Sequence, residues 1–333
     1  KPKELTFKEL TDIFSKQHLQ KLAERTRKEY QRHIDVELLG KHKWGDIPVS
    51  DFTSQHVREV LNYKAYEEDA FTSANRIRST ISKIFAFGLK NVGIKLLSNP
   101  VENTPVFEQG ENVRDRYYTE DEIKELWEFW ETKPEPIQSY YKILLLTGQR
   151  KTETMQMEWS EINWGKACKR IKIGPDGRPE QEAYLADIWT IPAEKAKNSK
   201  ETDVPLSNLF KDILTKLKPI TGKSKWVFES PVLKGQPLSS VKSTTNKIKE
   251  QTSVSDFRLH DLRTTLTTHL EENLVDEKII KKIINHSDGN VTDKHYQWYN
   301  YNDRKLEALN RWSWRVQSII SSKQTEVKLH KVG

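Results

Sequence analysis

The stretch "YYKILLLTGQRKTE", residues 140–153, sets the reading of the whole chain. From Tyr140 to Leu146 it is almost continuously apolar or aromatic. That is too unbroken for a surface helix with one wet face, so a buried helix is expected. Gly148 then stops it, where a helix ending in a left-handed turn favours a residue without a Cβ. Directly beyond the break stand Arg150 and Glu153. An arginine and a glutamate at the end of a buried helix are either a surface ion pair or part of a site at the rim of a core. The surrounding sequence has to decide between them.

On the C-terminal side, the β-prone runs "KRIKI", "DIWTIP" and "TDVPL" follow, interrupted by the turn "GPDGRP". They predict a small antiparallel sheet, after which helical patterning resumes from Ser239 to about Ile320. On the N-terminal side, "TEDE" at Thr119 has the form of a capping box. It opens a helix carrying Ile123, Leu126, Trp127 and Trp130. Upstream again, "LSNPVENTPVFEQGENVRDR", residues 97–116, loses periodicity and gathers proline, asparagine and glycine, which reads as a linker with the boundary near residue 110, its core over residues 106–116.

Residues 1–105 read as helices. The first has Phe7, Leu10, Ile13 and Phe14 on one face. The second opens on the capping-box pattern "TRKE", Thr26 to Glu29. The third follows Thr53 and Ser54 and carries Val57, Val60 and Leu61, and the fourth is striped by Ile77, Ile81, Ile84, Phe85 and Leu89. The expected fold is mainly α (α+β): a helical domain over 1–105, then a mostly helical domain with a small antiparallel sheet over 117–333.

Composition narrows the function classes. Ten tryptophans, eleven tyrosines and eleven phenylalanines in 333 residues supply bulk for real cores despite a charged fraction of 31%. The single cysteine, Cys168, excludes an internal disulfide and a cysteine-rich zinc site, and fits a reducing compartment. No apolar run is long enough for a membrane-spanning helix. The chain opens on Lys1 rather than methionine, which suggests a piece of a longer protein. A net charge of +7 is a weak pointer to nucleic acid. Arg25, Arg27, Lys28 and Arg32 on the second helix, with Arg76, Lys83 and Lys90 on the fourth, form either a solvated face or a surface for DNA phosphates.

Four polar clusters of the second domain carry the chemistry. "TGQRKTE" holds Arg150 and Glu153, and "LHDLR" places His260 and Arg263 three apart, on one helix face. "NHSDGNVTDKHY" sets His286 ten residues before Tyr296, and "EKAKNSK" places Lys195, Lys197 and Lys200 between two predicted strands. The aromatic run "HYQWYNY", residues 295–301, contains Tyr296, Trp298, Tyr299 and Tyr301. Each cluster alone has an ordinary structural explanation. Together they supply two guanidinium groups, two imidazoles, an ammonium and a phenol, which suits phosphodiester transfer without a metal. Phosphoryl transfer spreads negative charge over non-bridging oxygens, where permanent bidentate cations are wanted. A lysine can protonate the leaving alkoxide. A phenol with a pKa near about 10 needs neighbouring cations and a proton acceptor before it attacks. No P-loop is present, so no nucleotide is expected to drive the reaction.

Arg150 with Glu153, Lys197, His260 with Arg263, His286 and Tyr296, in that chain order, resemble the tyrosine recombinases, the phage integrase family. The ending "HYQWYNYNDRKLEALNRW" and the stretch "WTIPAEKAKNSKETDVPLS" are most similar to integrases of satellite phages and genomic islands. The resemblance covers the second domain almost throughout and residues 5–105 more loosely, as a core-binding DNA domain. It implies that Arg150 and Arg263 clamp the scissile phosphate, Lys197 is the general acid, and His260 accepts a proton or hydrogen bond near the nucleophile. It further implies that His286 contacts the phosphate, Glu153 orients Arg150, and Tyr296 is the nucleophile, with Tyr299 and Tyr301 packing beside Trp298. Register against "VPLS" selects Lys197 over Lys195 and Lys200.

Two positions depart from the family pattern: Asn285 where many relatives have glycine, and Thr264 where a second arginine is common. The implied activity is site-specific integration and excision of a mobile element through a 3′-phosphotyrosyl intermediate, with no cofactor or metal. The implied partners are double-stranded attachment sites held in a C-shaped clamp, a homotetramer on DNA, and an excisionase with a DNA-bending host factor. A cytoplasmic, nucleoid-associated location in a bacterial host and a separate N-terminal arm-binding domain are implied as well. A Xer-type resolvase, a type IB topoisomerase or a non-catalytic DNA-binding descendant are the alternatives. Finally, "TEVKLHKV" alternates Val327 and Leu329 with polar residues and is expected to form a strand that docks on a sheet edge.

Overall fold

The computed structural model describes residues 4–110, 114–286 and 300–322. They divide into two compact units, the first ending at Arg114 and the second starting at Asp115.

In the first unit, α1 (Phe7–Gln17) is opened by Thr6, whose hydroxyl accepts from the Glu9 amide while the Glu9 carboxylate accepts from the Thr6 amide. Phe7, Leu10 and Phe14 are thereby turned inward. α2 (Glu24–Arg32) begins before the expected "TRKE" cap. Ala23 occupies the cap position with no side-chain bond, and Thr26 already lies inside the first turn. α3 (Ser54–Asn62) and α4 (Phe71–Phe87) follow as read, α3 capped by Thr53 with His56.

After α2, α3 and α4 the helix continues in wider turns, over His33–Lys41, Tyr63–Glu67 and Gly88–Val92. There amides reach back five residues, as from His42 to Glu37, Glu68 to Tyr63 and Gly93 to Gly88. The core joins Phe7 edge-on to Trp44 at 5.1 Å and stacks Ile77, Ile81 and Ile84 beneath them. The buried Glu37 carboxylate is balanced by Lys64 at 2.9 Å, which also reaches Glu68 at 2.6 Å. A buried charge is tolerated only with such a partner.

The second unit is built around one buried helix. α5 (Glu120–Glu131) starts on the Thr119–Glu122 capping box and turns Ile123, Leu126, Trp127 and Trp130 inward. α6 (Glu135–Thr147) is buried without a break from Ser139 to Thr147, as its apolar run demanded. It packs against α5, α8 (Asn208–Thr221), α10 (Leu259–Glu272) and α12 (Asn302–Ser321), whose Trp312 indole donates to the Leu145 carbonyl at 3.0 Å. Between α6 and α8 lie the short α7 (Lys151–Met155) and an antiparallel sheet of β1 (Ile162–Ile173), β2 (Pro179–Ile191) and β3 (Thr202–Pro205), ordered 1-2-3. β1 and β2 extend well beyond the runs legible in sequence, with a bulge between Asn163 and Lys166. α9 (Lys242–Gln251) and α11 (Glu277–Ile283) complete the α-helices of the described residues.

α12 is fastened to the sheet at its first turn. Asn302 Nδ2 donates to Asp203 Oδ2 at 3.0 Å, and the buried Lys305 ammonium donates to the Asp203 carbonyl. Lys166 meets the same carboxylate at 2.7 Å. No helix of the described residues is long and apolar enough to cross a membrane. The expected terminal strand, residues 323–333, lies outside the described residues.

Gly148 sits at the tight turn beside the buried helix. It closes α6 with φ +61°, and a Cβ there would meet Leu266 Cδ2 at 2.5 Å. Left-handed strain and overpacking should together make Gly148→Ala about 2–4 kcal/mol less stable than the wild type. A thermal melt of the two proteins checks this, and unchanged stability would contradict it.

Candidate active site

The site begins where α6 ends. Past Gly148 the chain turns into α7 with Arg150 at its cap position. Glu153, one turn on and 2% exposed, returns its carboxylate to this arginine. Its two carboxylate oxygens divide the work: Oε1 accepts from the Arg150 guanidinium at 3.1 Å and Oε2 from the Arg150 amide at 3.3 Å. Oε1 also accepts from the backbone amide of Lys197, in the loop between β2 and β3, at 3.1 Å. One buried carboxylate therefore ties an arginine to the lysine loop.

The other anchor is the C-terminus of α11. Helix ends leave carbonyls without intrahelical partners, and they carry the negative end of the macrodipole. Here three successive carbonyls are capped by side chains around the α6 break. Gln149 Nε2 donates to Ile283 O at 2.8 Å, the Arg263 guanidinium to Ile284 O at 2.6 Å, and the Arg150 guanidinium to Asn285 O at 3.2 Å. Arg263 also donates to Gly148 O at 2.8 Å, joining both helix ends. The two arginines are thus brought together by hydrogen bonds that fix their planes and leave their charges uncancelled by more than the single Glu153.

Electrostatics register this crowding. Burial and the neighbouring Arg150 charge push Arg263 down to about 10, against the pull of Glu153, so it stays cationic at neutral pH. His260 stands on α10 one turn before Arg263, with solvent still reaching the ring. Partial desolvation, then the Arg263 charge, hold its pKa below the ordinary value; Arg150 and Lys197 push the same way and Asp261 opposes. Arg150, Glu153, Lys197, His260 and Arg263 accordingly share one neighbourhood. His286 is exposed just beyond the α11 end, its amide donating to Lys281 O at 3.0 Å.

Among the three lysines, Lys195 is consumed structurally. It donates to Gln156 O at 2.9 Å and pairs with Glu158 at 2.6 Å and with Glu161. Lys197 is exposed, and its ammonium has no hydrogen bond or ion pair among the described residues, while its amide is held by Glu153. Lys200 is exposed farther along the loop. Tyr296, Trp298 and Tyr299 fall in residues 287–299, outside the described residues. Tyr301 is half-buried against the core with the Lys278 ammonium 5.0 Å over its ring. Among the described residues, no three His, Cys, Asp or Glu side chains converge to hold a metal.

Gln149 and Asn198 carry no signal in the sequence: each is an amide beside a charged residue, and their partners, Ile283 and Asn285, lie far off in the chain. The basic candidates of the first unit separate into two kinds. Lys28 pairs with Glu24, Arg32 with Glu37 and Arg76 with Glu29, while Arg27 donates to Gln20. Arg25, Lys83 and Lys90 are exposed and have no such pairing among the described residues.

The model of the phage integrase family matches residues 116–303, more than half of the chain. The chain belongs to the phage integrase family. Among curated relatives, prophage integrase IntA of Escherichia coli K12 is 25% identical over 189 residues, 56% of this chain and 40% of that protein. This integrase-family chain thus spans less than half the length of the curated relative it matches. Among solved structures, a lambda integrase dimer bound to a COC′ core site aligns with TM-score 0.63 at 20% identity, covering 88% of this chain and 79% of that one. A lambda integrase tetramer bound to a Holliday junction aligns with TM-score 0.65 at 20% identity, covering 88% and 78%. These structural likenesses concern the fold.

The charge environment of His260 is testable in the free protein. Its imidazole should titrate by NMR below the ordinary histidine value, and Lys197→Met or Arg150→Ala should move the midpoint upward by removing a positive charge. A midpoint that neither substitution moves would contradict the shared neighbourhood.

Proposed function

We propose that this integrase-family chain is a site-specific DNA recombinase that cuts and rejoins strands through Tyr296. The observation that carries the reading is the pair Arg150 and Arg263, seated on the Asn285 and Ile284 carbonyls just past α11, with Glu153 linking Arg150 to the Lys197 loop. Two fixed guanidinium groups beside a lysine and a histidine of lowered pKa suit a phosphodiester whose charge grows at the transition state.

In the proposed cleavage step the Tyr296 oxygen attacks the scissile phosphorus and the bond to the 5′ oxygen breaks. The phenolic proton passes to His260, and Lys197 delivers a proton to the departing 5′ oxygen. Arg150, Arg263 and His286 hold the non-bridging oxygens. The 3′-phosphotyrosyl bond keeps roughly the energy of the bond it replaces, so attack by a 5′ hydroxyl from a partner strand rejoins DNA without a nucleotide. Neither a metal nor a cofactor enters these steps.

Residues 1–105 serve as the core-type DNA-binding domain, with Arg25, Lys83 and Lys90 the foremost phosphate contacts and Arg27, Lys28, Arg32 and Arg76 partly engaged within the unit. Residues 117–333 are the catalytic domain. The substrates are duplex attachment sites, bound by four copies that exchange strands through a Holliday junction, and the lambda tetramer on such a junction supports this by likeness of fold. An excisionase and a DNA-bending host factor are the expected accessory partners, and the bacterial cytoplasm, at the nucleoid, is the expected location.

A nicked suicide duplex tests the chemistry. Wild type should form a covalent 3′ adduct, Tyr296→Phe should form none while still binding DNA, and Tyr299→Phe and Tyr301→Phe should retain cleavage. An adduct with Tyr296→Phe would overturn the nucleophile. Arg150→Ala and Arg263→Ala should each lower the cleavage rate by about 10²–10³.

Binding should weaken steeply between about 50 and 200 mM salt as phosphate contacts release counterions. Replacing Arg25, Lys83 and Lys90 with alanine should flatten that slope more than replacing Lys28, Arg32 and Arg76, whose charges already have partners. Equal slopes for the two triple variants would remove this ranking.

A further inference from the structure

We infer that Asn198 and Asn285 form a two-sided amide latch that positions Lys197 against the arginine side of the site. The inference rests on the proposed role of Lys197 as the acid of strand cleavage.

The loop between β2 and β3 leaves the sheet at Ile191 and returns at Thr202. Its first half is well held, by the Lys195 ion pairs, by buried Ala196 and by the Lys197 amide on Glu153. Its second half is exposed and turns sharply at Ser199, where φ is +54°. Here the loop reaches across to another element through one side chain. Asn198 Nδ2 donates to Asn285 Oδ1 at 2.7 Å, and Asn285 Nδ2 donates back to Asn198 Oδ1 at 3.1 Å. The same Asn198 oxygen accepts from the Lys200 amide at 3.3 Å, so the pair also fastens the turn.

Asn285 is held just as firmly on its own side. It is the left-handed residue, φ +49°, that ends α11. Its amide reaches back to Lys282 O and the His286 amide to Lys281 O at 3.0 Å, the two bonds of a Schellman ending. Such a backbone is easiest for glycine, with asparagine the usual tolerated substitute. The asparagine therefore adds something the backbone does not need, and what it adds is the amide facing Asn198. Its carbonyl meanwhile accepts the Arg150 guanidinium at 3.2 Å. A single residue thus seats an arginine with its main chain and the lysine loop with its side chain. Lys197 lies between two tethers, Glu153 through its own amide and Asn285 through its neighbour. With the second removed, the loop beyond Lys197 can swing, and the ammonium loses its aim at the leaving oxygen.

Asn285→Gly removes both amide–amide bonds and leaves only the long contact of Asn198 Nδ2 with the residue 285 carbonyl, 3.5 Å in the wild type, in a backbone conformation that glycine adopts readily. Asn198→Ala deletes the latch from the other side. Two readouts are needed. The first is hydrogen exchange of the free protein, in which amides of residues 199–201 should exchange faster in both variants. The second is cleavage of two nicked duplexes, one ordinary and one with sulfur bridging at the scissile 5′ position. A thiolate leaves without protonation because its conjugate acid is strong enough on its own.

On the ordinary duplex each variant should be slower by about 10-fold or more, a part of the about 10²–10⁴ that a positioned acid supplies. On the sulfur duplex each should cleave at the wild-type rate, and the double variant should be no worse than either single one. Unchanged exchange, an unchanged ordinary rate, or equal slowing on both duplexes would overturn the latch. The underlying reading fails separately: it falls if Lys197→Ala is not rescued by sulfur, and the exchange result still decides whether the latch exists.

Discussion

The end of one short helix organises the second unit. α11 ends at Ile283, and the carbonyls of Ile283, Ile284 and Asn285, where the chain leaves the helix, have no following helical amide to bond. Instead Gln149, Arg263 and Arg150 cap them in succession, from two other elements. Each guanidinium spends part of its donor set on main-chain oxygen and has its plane fixed. Burial of the two like charges side by side is unfavourable, as the lowered Arg263 pKa records. The negative end of a helix offsets that repulsion without neutralising either cation. Among the described residues only Arg150 has a carboxylate in ion-pair reach, Glu153 at 3.1 Å, and a second one on Arg263 would compete with a bound anion. The carbonyl cap avoids that competition.

The same logic explains how much of this was legible in the sequence. The buried α6, its stop at Gly148, and the Thr119 cap are written in residues next to one another, and each matched. The start of α2 did not, because "TRKE" satisfies the cap pattern while Thr26 sits inside a helix that Ala23 begins without a side-chain bond. The wide turns after α2, α3 and α4 add one residue to a turn and leave no mark on an apolar stripe. β1 and β2 ran longer than read because their outer halves are exposed on both faces, which removes the alternation that signals a strand.

At the site, residue types and chain order pointed to Arg150, Glu153, Lys197, His260 and Arg263, and the structure gathers those five. Register against "VPLS" selects Lys197 among the three loop lysines; what sequence could not give is the physical reason the others differ. Lys195 and Lys197 are two residues apart in the same loop. One is locked by Glu158 and Glu161, which reach it only through the fold, and the other is left exposed. Asn198 and Asn285 are separated by most of a hundred positions and meet only because the sheet and α11 share a neighbour in Glu153 and Arg150.

The fastening of α12 has its own consequence. Asp203 of β3 takes the Asn302 amide and the Lys166 ammonium on its carboxylate, and the Lys305 ammonium on its carbonyl. Two strands and the first turn of a 20-residue helix thus converge on one residue. Apolar packing is non-directional and would tolerate a slip of α12 along the sheet. A slip here would strip a buried ammonium of its acceptor, which is costly. The register of α12 is therefore set by polar partners, while its grip comes from the core.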